Sequence, residues 1–176
     1  MNIGVSGPIG AGKTTAARYL ASTFGLSYLR YSEVLAEISP EPTPDRQTLR
    51  KLGWDIMSRG MQLTLNQKVL SKMQSRISYV IDGLRHPIDF ETLSSRPPFY
   101  LLYVDANPEI RWQRLSSRDI SKTWEEFLEL ETHHVESYLP MLKEKAYKVL
   151  RNQSSVTEFY ADLNSVLTEI WESGQQ

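Results

Sequence analysis

One stretch near the amino end constrains the fold more than any other: Gly7-Pro8-Ile9-Gly10-Ala11-Gly12-Lys13-Thr14. Gly, four residues, then Gly-Lys-Thr is the spacing of a phosphate-binding loop. Such a loop needs a buried strand before it and a helix after it, and both neighbours fit. Asn2-Ile3-Gly4-Val5-Ser6 reads as a short buried strand, and Thr15 to Phe24 reads as a helix. Glycines let the backbone curl until several N–H groups point inward at phosphate oxygens, and the helix start adds partial positive charge. Lys13 is placed to reach the β- and γ-phosphates of a nucleotide, and Thr14 to offer its hydroxyl to Mg²⁺. The candidate nucleotide contacts are therefore Gly7, Ile9, Gly10, Ala11, Gly12, Lys13, Thr14 and Thr15.

The chain of 176 residues is long enough for one domain with a sizeable core. Its formal net charge of −1 gives no global pull toward nucleic acid or an anionic membrane, so neither is an expected partner. There is no cysteine, which excludes disulfides and thiolate metal sites and suits the cytosol. No apolar run approaches the roughly 18 residues of a membrane span. The start enters a strand and loop at once, unlike a signal peptide. The Gly174-Gln175-Gln176 end is expected to fray.

Along the chain, strand and helix patterns alternate. Leu26 to Tyr31 is a candidate second strand, and Ser32 to Ile38 a brief helix. Three prolines in Ser39-Pro40-Glu41-Pro42-Thr43-Pro44 break regular structure. Thr43 as N-cap with Pro44 at the first helical position predicts a helix start there. Helical spacing continues through Leu49, Leu52, Ile56 and Met57, and a further helix is expected from Met61 to about Arg76. Ile77 to Asp82 reads as a strand ending in an acid, and Phe99 to Asp105 as a strand apolar almost throughout. Continuous apolar runs suit a parallel strand covered on both faces. Asn107-Pro108 predicts a helix to about Arg118, and the Thr123…Glu126 capping box a long helix to about Tyr138, interrupted by Pro140. Tyr147 to Leu150 is the candidate last strand. Ser155…Glu158 opens a final helix with an apolar stripe from Val156 to Trp171. The four tryptophans are scattered and expected in the core. The pattern as a whole is α/β, with a doubly wound parallel sheet whose ligands bind beyond the carboxyl ends of the strands.

That rule places Asp82 and Arg85 beside the loop. A carboxylate at the end of an apolar strand can hold a nucleotide's metal, directly or through water, or it can merely cap a turn. The Arg85 fork suits a bidentate phosphate contact, or a pairing with Asp89 one turn on. Arg46 and Arg50 are i,i+4 neighbours that could bind the anionic part of a second substrate or form a solvated face, with Arg30 a weaker candidate nearby. Arg111, Arg114 and Arg118 fall within one arc of a helix. Three like charges there are easier to explain if an anion neutralises them, though Glu109 and Asp119 could also balance them. Adjacent His133 and His134 point to different faces and make no metal pair.

This constellation resembles the P-loop nucleoside monophosphate kinase family. Adenylate kinases carry Asp-Gly-Phe-Pro-Arg where this chain has Asp82-Gly83-Leu84-Arg85, without the proline and one residue shorter. The carboxyl-terminal half is also similar to dephospho-CoA kinases and an archaeal group related to them. The shared features are Val80-Ile81-Asp82-Gly83-Leu84-Arg85, the Arg114…Arg118 pair and Asn152-Gln153-Ser154-Ser155. The resemblance implies a single three-layer domain around a five-stranded parallel sheet of order 2-3-1-4-5, an acceptor-binding helical subdomain over about residues 32–76, and a short lid over about 114–123. It implies that Arg114 lies against the base or phosphates, that Arg118 bridges two phosphates, and that the Asn152 loop helps hold adenine. Lys13, Arg85, Arg114 and Arg118 become the candidate catalytic residues. Ser32, Arg46, Arg50 and Arg85 become the candidate acceptor contacts, and Thr14 and Asp82 the metal contacts. The implied protein is a cytoplasmic kinase, monomer or homodimer, that uses ATP and Mg²⁺ and passes a phosphoryl group to a small nucleotide-like acceptor. The alternative among enzymes is a dephospho-CoA kinase or another small-molecule kinase; a hydroxyl acceptor, as in dephospho-CoA, would also need a carboxylate base, for which Glu33 is the candidate. The alternative outside enzymes is a nucleotide-binding regulatory module without a second substrate. A GTP-specific switch would be expected to carry Asn-Lys-x-Asp, which is absent.

Overall fold

The computed structural model describes residues 1–118, 120 and 123–173. Part of the expected lid (119, 121 and 122, including the Asp119 that could balance the arginines) and the 174–176 end lie outside the described residues. Five parallel strands form one sheet of order β2-β3-β1-β4-β5. They are β1 (Asn2–Ser6), β2 (Ser27–Arg30), β3 (Tyr79–Leu84), β4 (Phe99–Asp105) and β5 (Lys148–Arg151). The expected order is thus the observed one.

Alternation along each strand splits the core in two. Ile3, Val5, Val80, Leu102 and Val104 face helices α1 (Lys13–Phe24) and α9 (Val156–Ser173), meeting Ala16, Leu20, Leu163 and Leu167. Tyr79, Ile81, Leu101 and Tyr103 face the other layer, where α2 (Tyr31–Ile38), α4 (Gln62–Ser71) and α8 (Leu139–Glu144) contribute Val34, Leu65, Val69 and Leu142. Fully burying one such aliphatic side chain contributes roughly 1.5–3 kcal/mol, so these two layers hold the strand ends in fixed register.

Several boundaries differ from the sequence reading, each for a local reason. α1 starts at Lys13 because Gly12, in left-handed backbone, is its N-cap. The loop's Lys13 and Thr14 therefore sit in the first helical turn. Helix α3 (Arg46–Ser58) is capped by Asp45, not Thr43: the Asp45 carboxylate accepts the Thr48 N–H at 2.7 Å. β3 runs on to Leu84, so Asp82 lies within the strand and does not end it. Helix α5 (Pro87–Leu93) has no counterpart in the sequence reading; His86 and Asp89 form its capping box around Pro87.

Helix α6 (Pro108–Ser116) follows β4 as expected, and the Thr123 box opens α7 (Trp124–Glu131). The expected long helix ends there, however. A 3-10 turn (His134–Glu136) intervenes, capped by the His133 imidazole, and Pro140 sits in the first turn of α8, where a missing N–H costs nothing. The tryptophans are not core residues. Trp54, Trp112 and Trp124 are half-buried and Trp171 is 44% exposed, its ring edge-on to Phe24. Among the described residues, no helix is long and apolar enough to cross a membrane.

Candidate functional site

The carboxyl ends of β1 and β3 open into one cleft of about 380 Å³ that runs from the loop of Gly7–Thr14 to helices α2, α3 and α4. Its loop end is built by close approaches of backbone. Gly7 has φ 138°, and a Cβ there would stand 2.0 Å from the carbonyl oxygen of Val104. Gly12 has φ 103°, and a Cβ there would meet the Asn152 amide nitrogen at 2.3 Å.

The loop is braced from behind. Asn152 is buried and donates from Nδ2 to the Ala11 carbonyl at 2.9 Å. Arg114 donates to the Asn152 carbonyl at 3.0 Å, to its side-chain oxygen at 3.2 Å and to Ala11 at 3.4 Å. Arg111, 4% exposed, donates to Ala106 and Ile9 and pairs with Glu131. Its charge is thus balanced by Glu131 and not by Glu109. The three arginines of α6 therefore do different work: Arg111 and Arg114 hold the loop's shape, while Arg118 is exposed and lines the cleft.

Lys13 curls back so that its ammonium donates to the Gly7 and Pro8 carbonyls at 2.6 and 2.7 Å. Burial, with Arg85 and other cations nearby, lowers its pKa well below the usual lysine value, while Asp82 acts in the opposite direction. Thr14 donates to Asp82 Oδ2 at 2.8 Å. The same oxygen accepts the Tyr28 hydroxyl at 2.8 Å and lies 3.5 Å from Arg30 Nε. The expected metal contacts, Thr14 and Asp82, are thereby brought together from positions far apart in the chain. One hydroxyl beside one buried carboxylate fits Mg²⁺, which takes few protein ligands and completes its shell with phosphate oxygens and water. Among the described residues, no cluster of three His, Cys, Asp or Glu could cage a metal by itself.

The far end is cationic. Arg46, Arg50 and Arg85 all line the cleft, as does Ser32. Burial and the charge of Arg50 lower the Arg85 pKa to about 10. The Arg85 guanidinium pairs with Glu136, not with Asp89. Asp89 is fully buried and accepts the Arg85 and His86 backbone N–H groups, both at 2.9 Å, and the Gln62 amide at 2.5 Å. Gln62 and Glu136 were not singled out from the sequence, and Asp89 entered there only as a possible partner for Arg85. A polar residue at an otherwise apolar helical position, as Gln62 is beside Leu65 and Val69, was the available signal. Glu33 is exposed and does not line the cleft. His134 stacks on Trp54 at 4.7 Å, which ties the 3-10 turn to α3.

A parallel sheet of this order, with a phosphate-binding loop after its central strand, defines a protein of the P-loop kinase fold. The family model described as AAA domain matches residues 3–137, and the chain belongs to that AAA-domain family. Solved structures share the fold over nearly the whole chain. Shikimate kinase from Acinetobacter baumannii, in complex with shikimate, is 21% identical with a TM-score of 0.57, covering 99% of this chain and 95% of its own. TT1252 from Thermus thermophilus is 23% identical with a TM-score of 0.63, covering 96% and 97%. A protein from Eubacterium ventriosum is 13% identical with a TM-score of 0.61, covering 97% and 98%. No curated protein is matched by sequence.

Proposed function

We infer that the chain is a cytoplasmic Mg²⁺-dependent phosphotransferase that moves the γ-phosphoryl of ATP to a nucleoside monophosphate or similar nucleotide-like acceptor. The observation that carries this reading is one cleft with two anion-binding ends: Lys13, Thr14 and Asp82 at one, Arg46, Arg50 and Arg85 at the other. A regulatory nucleotide-binding module has no use for the second end. In this reading α2 to α4, within residues 32–76, form the acceptor subdomain, and the segment around Arg114 to Thr123 is the lid.

Phosphoryl transfer asks mainly for alignment and charge stabilisation. The loop amides and Lys13 would hold the donor phosphates, with Lys13 exchanging its two carbonyl partners for phosphate oxygens. Arg114 would steady the loop on which those phosphates rest. Arg118 and Arg85 would take up negative charge from the two sides of the transferring group. Bound Mg²⁺, held by Thr14 and Asp82, would supply further neutralisation of the phosphate oxygens.

An ionised acceptor phosphate is already nucleophilic and needs no base. In the cleft, among the described residues, Asp82 and Asp89 are each held by donors, while Glu136 is paired with Arg85 through one oxygen and leaves the other without a partner. For a hydroxyl acceptor such as dephospho-CoA, the base candidate Glu33 lies outside the cleft.

ADP formation measured over nucleoside monophosphates, dephospho-CoA and small alcohols tests the reading. ADP formation that depends on a monophosphate supports it, and slow hydrolysis indifferent to every acceptor counts against it. Arg85→Ala should raise the acceptor KM about 10- to 100-fold, in line with the loss of a charge-assisted hydrogen bond, and leave the ATP KM nearly unchanged. It should also lower Tm, because Glu136 is then buried without its counter-charge. Loss of ATP binding with acceptor affinity kept would put Arg85 on the donor side.

A further inference from the structure

Asp82 is 2% exposed and lines the cleft beside the phosphate loop, yet its two oxygens are held very differently. Oδ2 accepts the Thr14 hydroxyl and the Tyr28 hydroxyl, both at 2.8 Å. Arg30 Nε stands 3.5 Å from the same oxygen, a contact of charge too long to occupy a lone pair. Among the described residues, no hydrogen bond reaches Oδ1. An ionised carboxylate carries about four acceptor positions, shared evenly between its oxygens. Thr14 and Tyr28 therefore fill Oδ2, and whatever else Asp82 binds must come to Oδ1.

Tyr28 reaches Asp82 because of the register of the sheet. β2 lies beside β3, with Tyr28 opposite Val80 and Arg30 opposite Asp82. Residues two apart on a strand share a face, so the Tyr28 side chain leans along the same side of the sheet as Asp82. Its ring is fixed there. It packs against the core layer of α1 and α9, and the Arg18 guanidinium of α1 lies 5.8 Å from its centroid. The hydroxyl is thus delivered to one place. Tyr28 does not line the cleft, so it has no direct access to a nucleotide and works only through Asp82.

We propose that Tyr28 is a positioning residue for the metal site: by holding Oδ2 it turns Oδ1 toward the cleft and directs the nucleotide's Mg²⁺, or a water on that ion, to this oxygen. The proposal rests on the Mg²⁺ reading above. The geometry of Thr14 agrees with it. Its hydroxyl hydrogen goes to Oδ2, which leaves its oxygen lone pairs for the ion. A carboxylate held by one hydroxyl alone can still rotate and offer either oxygen. Held by two, it presents a single oxygen before the ion arrives. Groups that orient a metal ligand in this way are worth about 10- to 100-fold in metal affinity.

Titration calorimetry of the full chain with a non-hydrolysable ATP analogue, once in excess Mg²⁺ and once in EDTA, isolates the metal's contribution as the ratio of two affinities. In Tyr28→Phe, which removes only the hydroxyl, that ratio should fall about tenfold, with the affinity in EDTA nearly unchanged. A role confined to the fold would weaken both affinities alike. Equal losses, or an unchanged ratio in the folded variant, therefore overturn the assignment. Should Tyr28→Phe fail to fold, a crystal structure of the unaltered chain with ADP and Mg²⁺ tests the same point. The ion or its water is expected on Oδ1, with Tyr28 still on Oδ2; an ion on Oδ2 with Tyr28 displaced overturns the proposal. If Mg²⁺ leaves the nucleotide affinity of the unaltered chain unchanged, the metal reading itself fails, and the proposal falls with it.

Discussion

Lys13→Ala should cut turnover about a thousandfold, roughly 4 kcal/mol of transition-state stabilisation, with the fold intact. The two halves of that expectation have one source. The Lys13 ammonium is held by the carbonyls of Gly7 and Pro8. Burial and neighbouring cations lower its pKa, so the folded state holds this charge at a cost. The sign follows: a lysine whose folded pKa lies below its unfolded value detracts from stability at neutral pH, and alanine removes that detraction. Tm should therefore stay the same or rise slightly. What is lost is the charge that meets the phosphates. Steady-state kinetics beside a thermal melt decides the matter. Near-normal turnover would refute the phosphate-loop assignment, and a collapsed melt would show that Lys13 instead serves the fold.

Gly7→Ala is expected to damage stability and nucleotide binding together. The φ of 138° is open to glycine and strained for alanine, at about 1–3 kcal/mol. The added Cβ would also stand 2.0 Å from the Val104 carbonyl oxygen, a backbone atom of a central strand that cannot swing aside. Together these should cost about 3 kcal/mol or more, a fall in Tm of about 10 °C for a chain of this size. Whatever folded protein remains would have the loop lifted off β4, so ATP affinity should fall as well. A variant with unchanged Tm and unchanged ATP affinity would show that the loop tolerates a side chain where these contacts say it cannot.

The loop half of the cleft was legible in the sequence because its parts are close in the chain. Spacing, glycines and the adjoining strand and helix identify the loop without any tertiary contact. The sheet order was foreseen through resemblance and is the observed one. The pairing of Thr14 with Asp82 follows once β1 and β3 are neighbours, since parallel strands bring their carboxyl ends to one edge.

The other half was harder to read, for a physical reason. Arginines at helical spacing look alike in sequence whether they brace a loop, pair with a distant acid or face a ligand. Arg111, Arg114 and Arg118 share one short segment, yet Arg111 is buried against Ile9 and Glu131, Arg114 is spent on Ala11 and Asn152, and Arg118 faces the cleft. Apart from Ala106, their partners come from 20 to more than 100 positions away, a distance over which no local pattern carries information. The expected helix to Tyr138 failed similarly: a turn held by the His134–Trp54 stack and the Glu136–Arg85 pair breaks it, and both partners belong to other elements.

By itself, then, the sequence determined what kind of fold forms and where its phosphate-loop motif lies, because those follow from backbone geometry within some twenty adjacent residues. Only the tertiary structure decided which charges remain free to act. A side chain's role depends on whether its hydrogen bonds and counter-charges are already satisfied. Satisfaction is set by long-range packing, which pairs Arg85 with Glu136 and leaves Gln62 and Glu136 each with one oxygen unmet.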